Sequence, residues 1–144
     1  MALEIISWML CSIFAALSLL HLKWIRMPTG PAPSAIPTNT AGVPLFRPTP
    51  LATFAVACLL AIASALAFLG QKELPAKFNS FVNMGNVTVA LVLFARSIGD
   101  FKYFGFFRNI KNTKFAKKDS ILFTPLCLFL SLSAALLAWF KFGG

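Results

Sequence analysis

Four long apolar stretches, separated by polar or proline-rich segments, set the pattern of this 144-residue chain. They run over residues 5–24, 51–69, 78–98 and 121–140. Each is close to the roughly 20 residues that an α-helix needs to cross the hydrocarbon core of a bilayer, and none has an acidic residue inside it. The pattern predicts an all-α integral membrane protein in which residues 1–144 form a single bundle of four transmembrane helices.

Composition points to the same class. The chain is 58% hydrophobic and only 12% charged, whereas a soluble domain usually has about 25% charged residues. A net charge of +9 would suggest nucleic acid in a soluble protein. Here the basic residues lie between the apolar stretches, where cytoplasmic loops collect them and anionic lipids attract them. We therefore expect anionic membrane lipids, and not nucleic acid, as their partner.

The cysteines suggest no special chemistry. Cys11, Cys58 and Cys127 each lie inside an apolar stretch and form no CxxC pair. An odd number of cysteines without such a motif argues against a disulfide framework or a zinc site. We expect them to be packing residues, with no metal and no cofactor bound.

Small residues at a spacing of four suggest where helices pack. Ala57, Ala61 and Ala65 form such a row on the second stretch. Small side chains let helix backbones approach closely in lipid. The row is therefore predicted to face a neighbouring helix.

The first loop, residues 26–50, contains seven of the nine prolines. Proline at this density interrupts both helices and sheet interiors, so the loop is predicted to be extended and irregular. Three apolar residues, Val43, Leu45 and Phe46, give it something to bury. We expect it to lie over one end of the bundle.

The distribution of Lys and Arg predicts an orientation. The first and third loops, with their flanks, hold ten of these residues, and the opposite side of the bundle holds three. Because cytoplasmic loops are enriched in Lys and Arg, both termini are predicted on the non-cytoplasmic side.

The third stretch is the most polar of the four. Asn79, Asn83 and Asn86 fall at i, i+4 and i+7, which places them on one helical face. Asparagine is costly against lipid, so this face should point into the bundle. Hydrogen bonding between helices is the simpler interpretation, and the wall of a polar cavity is the alternative.

The third loop, residues 99–119, alternates aromatic and basic side chains. Rings favour the headgroup zone of a bilayer and cations favour anionic lipid, so the loop is predicted to be a membrane-surface anchor. A more specific hypothesis is that Arg96 and the loop bind a phosphate group, because a guanidinium can form two parallel hydrogen bonds with a phosphate.

Several ionisable residues should reach the same cytoplasmic end of the bundle. Arg96 and Asp100 are spaced for an i, i+4 ion pair, His21 ends the first stretch, and Asp119 opens the fourth. The candidate residues for binding a ligand or lipid headgroup are His21, Trp24, Arg96, Asp100, Tyr103, Arg108 and Asp119.

Two runs of residues carry a family resemblance. The first is Arg96-Ser97-Ile98-Gly99-Asp100-Phe101-Lys102-Tyr103-Phe104-Gly105-Phe106-Phe107, continued by Thr113-Lys114-Phe115-Ala116, Asp119 and Pro125-Leu126-Cys127. The second is His21-Leu22-Lys23-Trp24 with Pro44-Leu45-Phe46-Arg47-Pro48. The chain resembles a family of small bacterial four-span membrane proteins known only as a domain of unknown function. That family usually has tyrosine where Lys23 stands here, followed by a glycine pair. The resemblance implies four spans and a bacterial inner membrane, and it implies no activity.

Three functions follow from these features. The favoured one is a protein that binds a lipid or another hydrophobic ligand, or an accessory subunit of a larger membrane complex. The second is a membrane enzyme in which His21 is a general base, Asp100 or Asp119 orients it, and Arg96 holds an anion. The chain has no nucleophile or HExxH motif to support catalysis. The third is a small transporter that works as a homo-oligomer with the Asn stripe along its path.

Overall fold

The computed structural model describes residues 1–27 and 33–143, and in this part of the chain four long helices dominate. Helix α1 spans Ala2–Arg26, α2 spans Pro50–Gly70, α3 spans Ala76–Ile98, α4 spans Lys114–Lys118 and α5 spans Thr124–Gly143. A π-helical turn, Asp119–Phe123, joins α4 to α5, so that these two helices form one continuous helical segment, which we call the fourth rod. Helices α1, α2 and α3 and the fourth rod are all long and apolar enough to cross a membrane. The predicted all-α bundle of a multi-pass membrane protein is confirmed.

The ends of the helices differ from the predicted ones mainly in the fourth rod. It begins at Lys114, seven residues before the predicted start at residue 121. Thr113 caps this start, because its Oγ1 accepts a hydrogen bond from Ala116 N at 3.0 Å. Phe115 is buried, although the lysines around it make the segment look like a polar loop in the sequence. The helix is therefore extended beyond the apolar stretch by a cap and one buried ring.

The helices pack as two pairs, α1 with α2 and α3 with α5, and the pairs meet mainly where α2 contacts α3. Small side chains and a few large ones share the core, which consists of Leu10, Phe14, Ala63, Ala67, Ala90, Leu130, Ala134 and Leu137. Large apolar side chains face outward, among them Leu51 (77% exposed), Phe81 (71%) and Trp139 (75%). A small-residue core with bulky apolar side chains on the outside suits a bundle solvated by lipid.

Serine hydroxyls connect α1 to α2. Three of them donate to carbonyl oxygens of the facing helix: Ser7 to Ala67 at 2.6 Å, Ser18 to Ala57 at 2.8 Å and Ser64 to Cys11 at 2.8 Å. Each bond satisfies a hydroxyl that would otherwise be unpaired in an apolar interior. The α1–α2 pair is thus joined by hydrogen bonds along much of its length.

The asparagine face of α3 points inward, as predicted. Asn83 and Asn86 are buried, and Asn86 Nδ2 donates to the carbonyl of Leu66 on α2 at 3.1 Å. One turn further along α3, Ser131 of α5 donates to the Ala90 carbonyl at 2.7 Å. Asn86 therefore acts in helix association, the simpler of the two interpretations.

The small-residue row predicted on α2 is wrong in two of its three positions. Ala57 is buried, but Ala61 and Ala65 are exposed. Four residues span 400° in a helix with 3.6 residues per turn, so a row at this spacing drifts around the helix. The face that contacts the bundle instead continues through Ser64 and Ala67.

Over residues 33–49 the first loop is irregular, as predicted, but it buries different residues from those expected; residues 28–32 lie outside the described part of the chain. Val43, Leu45 and Phe46 are 56%, 40% and 55% exposed, whereas Ile36 and Thr38 are buried. The expectation was wrong in which residues are buried: a compact turn precedes Pro44, and the apolar side chains at 43, 45 and 46 stay largely exposed. In that turn the Asn39 carboxamide oxygen accepts from the backbone N–H of Ala41 and Val43.

The loop nevertheless covers the end of the bundle where it was expected. Its short helical turn, residues 33–35, packs on α4, and Thr40 faces residues 109–113 of the third loop across a cavity of about 280 Å³. The first and third loops therefore adjoin at one end of the bundle.

The α1–α2 hydrogen bonds give a first prediction. Ser7→Ala removes a buried hydroxyl that bonds across the interface, and it should lower the free energy of unfolding in detergent by roughly 0.6 kcal/mol, and by no more than about 1.7. Ser12→Ala is the matched control, since Ser12 is exposed and bonds only to Trp8 of its own helix. It should be near neutral. Equal losses for the two variants, measured by denaturant titration, would contradict the assignment.

Candidate functional site

The third loop begins with a sharp reversal at the end of α3. Gly99 and Gly105 have φ of +90° and +87° and lie against each other's backbone. A Cβ on either residue would overlap backbone atoms of the other segment, so glycine is required at both positions. The loop then folds back along itself through three backbone hydrogen bonds of 2.9–3.1 Å, from Phe106 to Ser97, from Asn109 to Phe101 and from Ile110 to Lys102.

Asp100 organises the tip of this reversal. Its Oδ1 accepts from the backbone N–H groups of Lys102, Tyr103 and Phe104 at 3.0, 2.7 and 3.1 Å. Burial raises the pKa of the Asp100 carboxyl, but these three N–H donors outweigh it and hold the pKa below its ordinary value. A lowered pKa means that ionised Asp100 stabilises the folded loop at neutral pH, and that this contribution is lost as pH falls through the lowered value.

The predicted ion pair between Arg96 and Asp100 is wrong. The helix ends at Ile98, so the two residues do not follow one another on a helical face. Asp100 turns to its own loop, and Arg96 pairs with Asp119 at 2.7 Å. The i, i+4 spacing has no meaning once the helix has ended.

Asp119 is the centre of a buried polar cluster. It lies in the π-helical turn, has no exposed surface, and receives four hydrogen bonds. Its Oδ1 accepts from Arg96 Nη2 at 2.7 Å, and its Oδ2 accepts from Arg108 Nη1, Gly105 N and Thr124 Oγ1 at 2.9–3.0 Å. A buried carboxylate is tolerated only when it is paired and hydrogen-bonded to this degree.

Arg108 connects the loop to the fourth rod. Besides Asp119, its guanidinium donates to the carbonyls of Gly105 at 2.6 Å and Ala116 at 2.8 Å, and to the hydroxyl of Ser120. Its side chain is only 6% exposed. One planar group with several donors thus holds the loop, α4 and the π-helical turn together.

The π-helical turn has a cause in the sequence that the apolar pattern does not reveal. Pro125 has no N–H to give to the carbonyl of residue 121, and a regular helix is therefore interrupted here. Thr124 N bonds instead to the carbonyl of Asp119, five residues back. This widened turn lets the Thr124 hydroxyl reach the Asp119 carboxylate. The roles of Gly105, Ser120 and Thr124 are not apparent from the sequence pattern.

The candidate residues therefore separate into two groups at the same end of the bundle. Arg96, Arg108 and Asp119 form the buried cluster. Asp100 and Tyr103 lie in the adjoining loop, where Lys102 Nζ lies 5.1 Å from the centroid of the Tyr103 ring. These five residues make up the first group, and the second group, His21 and Trp24, lies on the α1–α2 side of the bundle.

His21 and Trp24 lie in a groove between the end of α1, the start of α2 and the first loop. The groove has a volume of about 400 Å³. The His21 ring meets the Trp24 ring edge-on at a centroid distance of 4.9 Å, and its Nδ1 lies 2.7 Å from the Leu17 carbonyl oxygen.

The arrangement does not supply the geometry required by the enzyme hypothesis. That hypothesis needs a carboxylate within about 3 Å of His21. Over residues 1–27 and 33–143, the carboxylates that form ion pairs do so with Arg96, Arg108 and the N-terminus, not with His21. The asparagine stripe also gives the transporter hypothesis little support, because the Asn86 amide is occupied by backbone carbonyls.

The outer face of the third loop remains highly charged and aromatic. Its members, which we call the loop surface, are the exposed residues Phe101, Lys102, Phe106, Phe107, Lys111, Lys114, Lys117 and Lys118. Of the loop's two carboxylates, Asp119 is buried, whereas Asp100 is exposed and bonded to backbone N–H groups. The loop surface therefore has five exposed lysines beside one exposed carboxylate, and its net charge is positive.

Asp119 gives the second prediction. Asp119→Asn leaves two arginines without their counter-charge, and it should lower the free energy of unfolding by about 3 kcal/mol, the lower part of the range for breaking a buried ion pair, since Arg96 is partly exposed. Asp100→Asn is the control, because the amide keeps an oxygen acceptor in an exposed position and should cost less than about 1 kcal/mol. Thermal unfolding in detergent would measure both. A similar small loss for the two variants would show that the cluster does not anchor the loop.

Comparison with known proteins assigns the chain to a family. A family model described as "Protein of unknown function (DUF3995)" matches residues 14–134, which include α2, α3 and the whole of the buried cluster. No curated protein and no solved structure matches the chain. By the extent of the match, this chain belongs to the DUF3995 family of proteins of unknown function.

Proposed function

We propose that this chain is a membrane protein that holds anionic lipid headgroups on its loop surface. The observation that carries the proposal is the separation of charge in the third loop. Between residues 99 and 120 there are six basic and two acidic side chains. Asp119 is buried between two arginines and Asp100 is the exposed carboxylate of the loop, while all five lysines are exposed, so that positive charge predominates on the outer face.

The buried cluster supports the proposal by adding to the positive charge. It contains two guanidinium groups, Arg96 and Arg108, for the single carboxylate of Asp119. The excess charge lies under the loop surface, in a medium of lower dielectric than water. Phosphate groups of lipids at the same level of the bilayer are the nearest abundant anions that such a potential would attract.

The aromatic residues of the loop surface make a second contribution to lipid binding. Phe101, Phe106 and Phe107 are 59%, 51% and 62% exposed, although phenylalanine is among the residues most often buried in proteins. Next to the ends of membrane-spanning helices, such rings can lie in the headgroup zone while the lysines meet phosphates. The combination fits a lipid surface better than it fits water.

The same argument extends to the location of the protein. We propose a bacterial inner membrane with the loop surface on the cytoplasmic side and both termini on the opposite side. The excess of Lys and Arg at this end supports that orientation, and so does the negative charge of the cytoplasmic leaflet.

Lipid binding is tested by a pair of double variants. Lys117→Gln with Lys118→Gln removes two charges from the loop surface, and Lys72→Gln with Lys77→Gln removes two exposed charges from the other end of the bundle. At about 1 kcal/mol per basic residue near the lipid surface, the first variant should bind phosphatidylglycerol roughly 30-fold more weakly in native mass spectrometry. The second should change little. Equal loss for both, or equal retention of phosphatidylcholine and phosphatidylglycerol by the natural chain, would contradict the proposal.

Orientation is tested by labelling single introduced cysteines in intact cells. Ala2→Cys should react with a membrane-impermeant maleimide, and Asn112→Cys should react only after permeabilisation. The natural chain, whose three cysteines lie within the helices, gives the background. Reaction of residue 112 from outside the cell would reverse the proposed orientation.

A further inference from the structure

The groove that contains His21 and Trp24 lies at the same end of the bundle as the loop surface but on the α1–α2 side. Its lining residues differ from those of the loop surface, and their chemistry suggests a separate ligand. It is lined by residues from the last turns of α1, the first turns of α2 and the first loop. Its volume of about 400 Å³ lies within the roughly 300–1,000 Å³ typical of small-molecule sites. We propose that it binds one anionic amphiphile, with an alkyl chain along the apolar wall and an anionic head at Arg47.

The wall of the groove is suited to an alkyl chain. Trp24, Ile36, Phe46 and Val56 contribute apolar surface from three different segments. Phe46 and Val56 are 55% and 41% exposed, so their faces are not filled by other parts of the described chain.

The charged groups of the groove have one sign. Arg47 is the strongly basic residue among those that line it, and none of the lining residues is acidic. The contact of His21 Nδ1 with the Leu17 carbonyl, which can only accept, places the proton of the neutral ring on Nδ1. Nε2 is then an acceptor, which can take a hydrogen bond from a hydroxyl of the head but does not bind its anionic oxygens. Charge complementarity thus favours an anionic head over a zwitterionic or cationic one.

The position of the groove favours an occupant from the bilayer. Lys23 and Arg26 lie in the last turn of α1, and Trp24 is a residue type enriched at the membrane–water interface. A molecule in the groove would hold its head at the level of the phosphates and its chain toward the hydrocarbon. A carboxylate head and a phosphate head share the required chemistry, so a fatty acid and an anionic lipid are the two sources to distinguish.

The test compares two tryptophan substitutions on α2. Ala52→Trp fills the groove, because Ala52 lines it, whereas Ala55→Trp places the same bulk on an exposed position outside the groove. Native mass spectrometry in detergent would follow binding of oleoyl-lysophosphatidylglycerol, oleate, oleoyl-lysophosphatidylcholine and glycerol phosphate. Retention of the natural elution volume and circular dichroism by both variants shows that they fold.

The natural chain and Ala55→Trp should each retain one molecule of an anionic oleoyl probe, and Ala52→Trp should bind it at least about tenfold more weakly, a change of roughly 1.4 kcal/mol. Preference for lysophosphatidylglycerol or for oleate then identifies the source. Arg47→Gln should lower the preference of the anionic over the zwitterionic probe by about fivefold.

Three results would overturn the proposal. They are equal binding by Ala52→Trp and Ala55→Trp, binding of glycerol phosphate without a chain, and a dimer that Ala52→Trp converts to monomer while no lipid is retained. The last result would assign the groove to a second copy of the chain. Since Ala52 is outside the loop surface, phosphatidylglycerol binding that depends on Lys117 and Lys118 should persist in every variant, so the groove proposal can fail while the proposed function stands.

Discussion

A single carboxylate, that of Asp119, fixes the arrangement of the most polar end of this protein. It is fully buried, and an unpaired charge in such a place would cost several kcal/mol. The fold meets that cost by bringing Arg96 from α3, Arg108 from the third loop and the Gly105 N–H to the same group. These three donors come from the end of α3 and from the third loop, so satisfying one charge determines how the loop lies on the bundle. The exposed position of the loop lysines is a consequence.

In the rest of the bundle, buried polar groups are also satisfied by hydrogen bonds, but these groups are uncharged. In lipid, the hydrophobic effect does little to bring helices together, and association depends on close packing and on satisfied polar groups. Ser7 and Asn86 each donate to a carbonyl of a neighbouring helix. Neither donor is therefore left unpaired in an apolar environment. Gly85 permits close approach between α3 and α2, where a Cβ would meet the Leu66 side chain. Polar residues inside the spans therefore serve packing, and polar residues at the loop end are the ones free to act on other molecules.

The helices were predictable from the sequence because apolar length is a local property. The inward face of α3 was predictable for the same reason, since Asn83 and Asn86 repeat with the helical period. The partner of Arg96 was not, because it depends on where the helix stops. Gly99, with its positive φ, ends α3 before Asp100, and only the folded loop then brings Asp119 within reach. The separation of His21 from the cluster likewise depends on how the pairs α1–α2 and α3–α5 are placed, which no spacing in the sequence reports.

The two proposed lipid-binding regions, the loop surface and the groove, require different structural features of the protein. The loop surface needs only many exposed cations held in place, and its interaction with lipid is long-ranged and weakened by salt. The groove needs a particular shape, since its apolar wall combines α1, α2 and the first loop. Both open at the end where the first and third loops adjoin. A positive surface beside a chain-sized groove would concentrate anionic lipids next to a site that accepts one of them, so that electrostatic attraction raises local concentration and the groove provides selection.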